Sequence, residues 1–230
     1  MQYSNLHQHT TYSDGKDSLE DVVLSAISHN VKSIGISDHS FLDVCETTCK
    51  MDAPDSPEYL NEIKRVKEKY KDKIAVYTGI EKDYFSKIDR SKYDYVIASV
   101  HFMVAGGKYY AIDHARDVQQ DYIDNVCGGD VLKFVRDYYD LVVKHVRESR
   151  PDIVEVNTGA ITRGYRTVPY PAKFLLEEIL RHNASVILSS DSHNKDTVIG
   201  YFDEAVKLLK SIGFKTVKQF ENGTFLDVEL

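Results

Sequence analysis

His7 and His9 alternate at the end of what reads as a short strand over 3–6. Side chains two apart on a strand share a face, so both imidazoles project from one strand end. Asp14-Gly15 then turns the chain, which lets the Asp14 carboxylate look back at the same place. Two imidazoles and a carboxylate beside a turn form a corner suited to a divalent cation. The same residue types recur at other predicted strand ends: His39, Glu81, His101, Glu155 with Asn157, and Asp191 with His193. Any one of these histidines alone is more often structural than a ligand. Five of the nine histidines in one kind of position, with carboxylates beside them, make a pattern. Neutral imidazole and carboxylate bind Zn, Mn or Fe. A bridging carboxylate can hold two such ions about 3.5–4 Å apart, where they share a hydroxide and stabilise a developing charge. No Ser-His-Asp arrangement or glycine loop for phosphate competes with this chemistry.

The elements that must position these groups alternate. Ser18, with Asp21 three residues on, caps an amphipathic helix ending near Asn30. A strand over 31–37 follows, so the opening is a strand–helix–strand unit with parallel partners. Residues 41–57, holding Cys45, Cys49, Asp52, Pro54 and Pro57, read as an irregular loop. A helix over 59–71, a strand over 73–80 ending at Glu81 and a strand over 93–100 ending at His101 come next. A loop with Gly106-Gly107 precedes helices over 116–125 and 130–148. A strand over 152–157 then leads into a polar loop over 158–167 that carries Arg163 and Arg166. Pro171 opens a helix running to 182. A strand over 185–189, a helix over 203–211 and a hairpin around Asn222-Gly223 complete the chain. Catalytic groups gathered at the carboxyl ends of several strands are the arrangement of α/β barrels.

Composition sets the bounds. At 230 residues and 42% hydrophobic, the chain suits one domain over 1–230 with its own core. The net charge of -7 disfavours non-specific binding to nucleic acid or an anionic membrane. Three cysteines make no even disulfide framework, which fits a reducing compartment. Cys45 and Cys49 could be half of a zinc site, but no second cysteine pair follows. The N-terminus lacks a basic region followed by an apolar run, and no stretch approaches the ~20 apolar residues of a membrane span. A cytoplasmic location is expected.

With these motifs in order, the sequence resembles the polymerase-and-histidinol-phosphatase (PHP) family. The motifs are Leu6-His-Gln-His-Thr-Thr-Tyr-Ser-Asp-Gly15, Ser37-Asp-His-Ser40, Gly79-Ile-Glu81, Ser99-Val-His-Phe102 and Ser189-Ser-Asp-Ser-His193. Glu155-Val-Asn-Thr-Gly-Ala-Ile161 with Arg163, Arg166 and Tyr170-Pro171 looks like the histidinol-phosphatase branch. The resemblance implies an α/β fold, a distorted TIM-like barrel of seven strands, and a centre of up to three divalent metals. By position, His7, His9 and Asp191 would hold one metal, and Glu81 would bridge it to a second bound by His101. Asp14, His39 and His193 would hold the third. Arg163, or failing it Arg166, would clamp the phosphate of a small phosphorylated substrate, because a guanidinium grips phosphate with two hydrogen bonds. Asp191 or His193 would protonate the leaving alkoxide. Glu155 and Asn157 would orient the substrate amine or brace the metal ligands. The implied reaction is hydrolysis of L-histidinol phosphate to histidinol. A nucleotide phosphoesterase of the same superfamily, or a metal-binding but catalytically impaired relative, stays open.

One departure bears on that last alternative. Relatives in this branch carry a further strand ending in Gly-His-x-Asp, whose histidine binds the second metal. Here the helix ending near Glu148 runs through Ser149-Arg-Pro151 into Asp152, and no Gly-His-x-Asp occurs. About thirty residues, one βα unit, are missing. Six candidate strands remain. The second metal keeps Glu81 and His101, with His145 and His114 as replacement candidates away from any strand end.

Overall fold

The computed structural model describes residues 2–42, 56–113, 115–151 and 153–230. β1 (Ser4–Asn5) leads through α1 (Leu19–Ser28) to β2 (Ser33–Ile36), and α2 (Pro57–Tyr70) leads to β3 (Ala75–Thr78). The three strands form one parallel sheet. Ser18 caps α1 by accepting the Asp21 N–H at 3.1 Å. Ser56 does the same for α2 with the Tyr59 N–H at 3.2 Å, and Pro57 sits in the first turn. Each cap satisfies a donor that a helix start leaves open. Leu19, Val22, Val23 and Ala26 of α1 and Tyr59, Ile63 and Val66 of α2 pack on Ile34, Ile36 and Val76. Their spacing of three and four places one apolar stripe of each helix on the sheet.

Beyond β3 the chain departs from the expected strand over 73–80. Gly79-Ile80 interrupts it, and Glu81 opens a new strand, β4 (Glu81–Asp83), which pairs parallel with β5 (Ile97–Ser99). The Tyr95 ring packs against the glycine at this break and against Gly35 of β2. A Cβ on Gly35 would lie 2.0 Å from Tyr95 Oη, and one on Gly79 would lie 2.1 Å from its Cζ. The Tyr95 hydroxyl donates to the Leu6 carbonyl oxygen, so the ring wedges under β1, β2 and β3 where only glycine leaves room. Gly79→Ala is therefore expected to lose about 1–3 kcal/mol of stability by overpacking. Urea unfolding checks this; an unchanged midpoint would contradict it.

Residues read as a loop around Gly106-Gly107 form a hairpin, β6 (Phe102–Ala105) and β7 (Lys108–Ala111). Both glycines have positive φ, 57° and 81°, as a tight hairpin turn requires. α3 (Arg116–Asn125) and α4 (Val131–Ser149) follow, then β8 (Ile153–Asn157). The loop expected over 158–167 begins with a single helical turn, α5 (Gly159–Thr162), too short to leave a periodic signal. Next come α6 (Lys173–Arg181), β9 (Ser185–Ser189), α7 (Phe202–Ile212), and the hairpin β10 (Thr216–Glu221) and β11 (Thr224–Glu229). The second sheet runs β11-β10-β9-β8. Its core joins Leu176 and Phe202, Ala205 and Leu209 to Val156, Val186, Leu188 and Val217.

The two sheets meet where β1 passes the end of β9. The His9 N–H donates to the Ser192 carbonyl oxygen at 2.9 Å, and Asn5 Nδ2 donates to Ser190 Oγ at 2.7 Å. The expected closed barrel is not found. The described strands form four sheet pieces, and none of them pairs with the outer edge of β5 or of β8 except at a bridge between Asn157 and Tyr170. A cleft lies between those two edges, walled by α4 residues such as Phe134, Tyr138 and Val142. α4 leaves Val131, Leu132, Val135, Tyr139, Val143 and Val146 exposed, although its pattern is that of a helix built to cover a sheet. No helix among the described residues is long and apolar enough to cross a membrane.

Candidate metal centre

The carboxyl ends of the parallel strands bring the expected groups together. His7 and His9 follow β1, His39 follows β2, Glu81 opens β4, His101 follows β5, and Asp191 and His193 follow β9. Glu81 lies at the hub. Its Oε2 is 2.9 Å from His39 Nδ1, 3.4 Å from His7 Nε2 and 3.5 Å from His9 Nε2. Its Oε1 is 3.2 Å from His101 Nε2. Asp191 Oδ1 stands 3.1 Å from His9 Nε2 and 3.6 Å from His7 Nε2. Asp14 faces His193 Nε2 at 3.1 Å, His39 Nε2 at 3.5 Å and His9 Nδ1 at 3.6 Å. Three ligand groups result: His7, His9 and Asp191; His9, Asp14, His39 and His193; and His39, Glu81 and His101.

These donors fit divalent cations. Glu81 Oε2 is buried without a well-formed hydrogen bond although three imidazole nitrogens surround it. His7 Nε2 and His9 Nε2 approach to 3.1 Å, a distance that leaves room for at most one proton between two lone pairs. An ion satisfies both arrangements at once.

Neighbours fix which nitrogen of each ring is free. His7 Nδ1 lies 2.6 Å from Glu155 Oε1, which also accepts from the Ser189 hydroxyl. That contact makes Nδ1 the donor and leaves Nε2 its lone pair. Asp83 Oδ2 plays the same part behind His101, 3.6 Å from its Nδ1, and also accepts the His101 N–H at 2.8 Å. Buried Asp38 braces the turn that carries Asp14, accepting from the Thr10 N–H at 2.7 Å, Thr10 Oγ1 at 2.8 Å and Ser13 Oγ at 2.5 Å. The sequence reading assigned no role to Asp83 or Asp38. The signal for Asp83 was present: it stands two residues after Glu81 and so shares its strand face.

The electrostatics of the centre are those of a packed charge cluster. Burial pushes His39 down, but the Glu81 charge and hydrogen bonds to Asp14 and Glu81 outweigh it and raise the ring to about 9. His7 and His101 are raised in the same way, against burial, chiefly by Glu155 and Glu81 respectively. His9 goes the other way, to about 3, through burial and the charges of His39 and His193. Burial would raise the Glu81, Asp14 and Asp191 carboxyls, yet the surrounding imidazoles hold all three well below the usual range.

Arg163 stands on the rim. Its Nη2 donates to Asp191 Oδ2 at 2.9 Å, and its Nη1 to the Asp191 carbonyl oxygen at 3.0 Å, with His193 Nδ1 3.2 Å away. Arg166 is turned aside, its guanidinium stacked 4.2 Å above the Tyr170 ring. Asp191 itself holds a left-handed backbone, φ 45°, uncommon for a non-glycine residue and typical of functional sites. Asn157 Oδ1 accepts the Gly159 N–H at 2.8 Å, and its Nδ2 is 3.4 Å from Glu155 Oε2, so it braces α5 and Glu155. His145 is buried in α4 against Tyr84, ring centroids 5.2 Å apart, and joins none of the ligand groups. His114, Cys45, Cys49 and Asp52 lie outside the described residues. An open cleft of about 2340 Å³ leads to His39, Glu81, His101, Asp191 and His193, with Arg163, Arg166, Tyr165 and Tyr170 on its wall.

A parallel α/β scaffold with imidazoles and carboxylates converging at its strand ends defines a metallohydrolase-type centre. The PHP domain family matches residues 5–149, more than half of the chain, and the chain belongs to that family. A Schizosaccharomyces pombe protein named "Probable histidinol-phosphatase" is 26% identical, with 96% of this chain and 89% of that protein covered. A Deinococcus radiodurans protein of the same name is 26% identical over 201 residues, 70% of this chain and 74% of its own length. The fold is shared with a Lactococcus lactis crystal structure of histidinol phosphate phosphatase complexed with zinc, L-histidinol and phosphate. That match has a TM-score of 0.65 at 21% identity and covers 97% of this chain and 98% of that one.

Proposed function

We propose that the chain is a metal-dependent phosphomonoesterase that hydrolyses L-histidinol phosphate. The observation that carries this reading is the Glu81 carboxylate, buried and encircled by the imidazoles of His7, His9, His39 and His101. His7, His9 and Asp191 would hold one ion, Glu81 and His101 a second, and Asp14, His39 and His193 a third. When bound, such Zn, Mn or Fe ions supply positive charge to the phosphoryl oxygens and make water nucleophilic at neutral pH. Glu155 and Asp83 keep His7 and His101 in the tautomer that offers a lone pair. Arg163, whose two arms both rest on Asp191, turns one of them from the Asp191 carbonyl oxygen to a phosphate oxygen and keeps the other on the Asp191 carboxylate. Asp191 or His193, side by side under Arg163, protonates the leaving alkoxide. The small cationic part of the substrate extends into the cleft past Tyr165 and Tyr170.

The chain is also one βα unit short of a closed barrel, and the opening falls between β5 and β8. The unpaired outer edges of those strands, the bare face of α4 and the run from Ser149 to Ile153 support this reading. The alignment with the S. pombe relative runs over 275 positions against a chain of 230, so that relative carries segments with no counterpart here. Nothing in the centre's own ligand groups lies on the missing side except the second ion's corner, so activity is retained. A phosphate-release assay with L-histidinol phosphate and a panel of nucleotides tests the substrate. Nucleotide hydrolysis exceeding that of histidinol phosphate would overturn the assignment.

The imidazoles also fix a pH dependence. A ring raised from 6.5 to about 9 on folding, as His39 is, contributes stability that is full below pH 6.5 and lost as pH rises through about 9. Metal uptake needs the same rings deprotonated, so the stability an ion adds grows over that window. Chelator-treated protein should therefore melt at falling temperature from pH 6.5 to 9, while the increment added by Mn or Zn should rise. Two slopes of the same sign would contradict the assignment of these rings as ligands.

A further inference from the structure

Resting on the metal-dependent reading above, we propose that Asp113 completes the ligand set of the second ion together with Glu81 and His101. Donor atoms held about 2.0–2.2 Å from one divalent ion lie about 3–4 Å from one another. Glu81 Oε1 is 3.2 Å and Asp113 Oδ2 is 3.8 Å from the same nitrogen, His101 Nε2. That nitrogen is the free one, because Asp83 takes the Nδ1 side of the ring. Two carboxylate oxygens thus flank the one imidazole nitrogen that is free to bind an ion, and a three-donor set leaves further positions open, as a catalytic site requires.

The chain places Asp113 there by a short return. His101 opens the β6–β7 hairpin, and the Ile112 N–H donates back to the His101 carbonyl oxygen at 3.0 Å. Asp113 is the next residue, so the hairpin carries its carboxylate to the ring it started from. Gln119 Nε2 of α3 donates to the Ile112 carbonyl oxygen and holds the return in place.

His39 shares a ligand group with Glu81 and His101 but approaches from the other side of the carboxylate. His39 Nδ1 faces Glu81 Oε2, the oxygen turned away from His101, and its Nε2 faces Asp14. His145 packs against Tyr84 from α4, its ring turned to that side chain. Asp113 supplies from within the hairpin the donor that the missing βα unit would have brought. Its side chain is 55% exposed, so replacing it leaves no buried hole in the fold.

The test is Mn(II) binding by equilibrium dialysis with metal analysis, on the full chain and on Asp113→Asn, Asp113→His, His101→Ala and the Asp113→Asn/His101→Ala double variant. Electron paramagnetic resonance reads the exchange coupling between neighbouring ions in the same samples. Asp113→Asn is expected to weaken one site and only one, by roughly 10–100-fold or more, since even outer-shell ligand supports are worth that much. The coupled signal should go with it. His101→Ala should weaken the same site, the double variant should lose no further ion, and Asp113→His should restore the coupled pair. Unchanged stoichiometry, affinity and coupling in Asp113→Asn would overturn the proposal, as would loss of a different ion from the one His101→Ala loses. Failure of the parent chain to bind Mn(II) would instead overturn the metal reading itself.

Discussion

Glu81→Gln is expected to reduce histidinol phosphate hydrolysis by about a thousandfold or more, with little change in the fold. A single electrostatic donor in a preorganised site is worth about 10²–10³ in kcat, and Glu81 is proposed to serve two ions. Glutamine keeps the size of the side chain but carries one oxygen and no charge. Its amide would place an N–H against either His101 Nε2 or the nitrogens of His7, His9 and His39, where lone pairs and an ion belong. Metal analysis of the purified variant should show fewer ions, and kcat should fall with them. Activity within tenfold of the parent would show that Glu81 is not the bridge.

Arg163→Ala has the next largest expected effect, about 10²–10³-fold in kcat/KM. The guanidinium already uses one fork on Asp191 and stands over the opening of the cleft. Loss of a phosphate clamp should also weaken inhibition by inorganic phosphate, while the metal content stays that of the parent. Arg163→Lys should recover only part of the loss, because an ammonium is a point charge without the planar fork that spans Asp191 and a phosphate oxygen. A fall in bound metal in Arg163→Ala would assign the residue to holding Asp191 in place. Unchanged kcat/KM and phosphate inhibition would remove it from the site.

Much of this centre was legible in the chain because strand ends are legible. His7 and His9 obey the alternation of a strand, and Asp191-Ser-His193 follows an apolar run that can only be a buried strand. The first helix came through because Ser18 lies ahead of a periodic apolar stripe; the second was placed from Tyr59 on its stripe alone, and its Ser56 cap and Pro57 start were read as loop. Glu81 was placed at the end of β3, yet it opens β4. The wedge of Tyr95 beneath Gly79 is a contact between distant residues and leaves no local trace. Asp83 and Asp113 were passed over because lone carboxylates in polar sequence are common. Asp83 shares the strand face of Glu81, while Asp113 comes near His101 only through the hairpin that returns the chain to it. The pair Asn157 and Glu155 was read as orienting the substrate amine or bracing the metal ligands; Glu155 lies against His7 and Asn157 against α5, as the bracing alternative has it. Closure of the barrel is likewise a tertiary matter, and the seam between β5 and β8 appears only when strand edges are paired off.

Metal-dependent hydrolysis is tested most directly by phosphate release from L-histidinol phosphate by the full chain, stripped with chelator and then given back Mn or Zn. Background hydrolysis is expected after stripping, and restored, saturable turnover on adding the metal, absent in His7→Ala. Turnover that survives chelation, or none in the metal-restored parent chain, would contradict it.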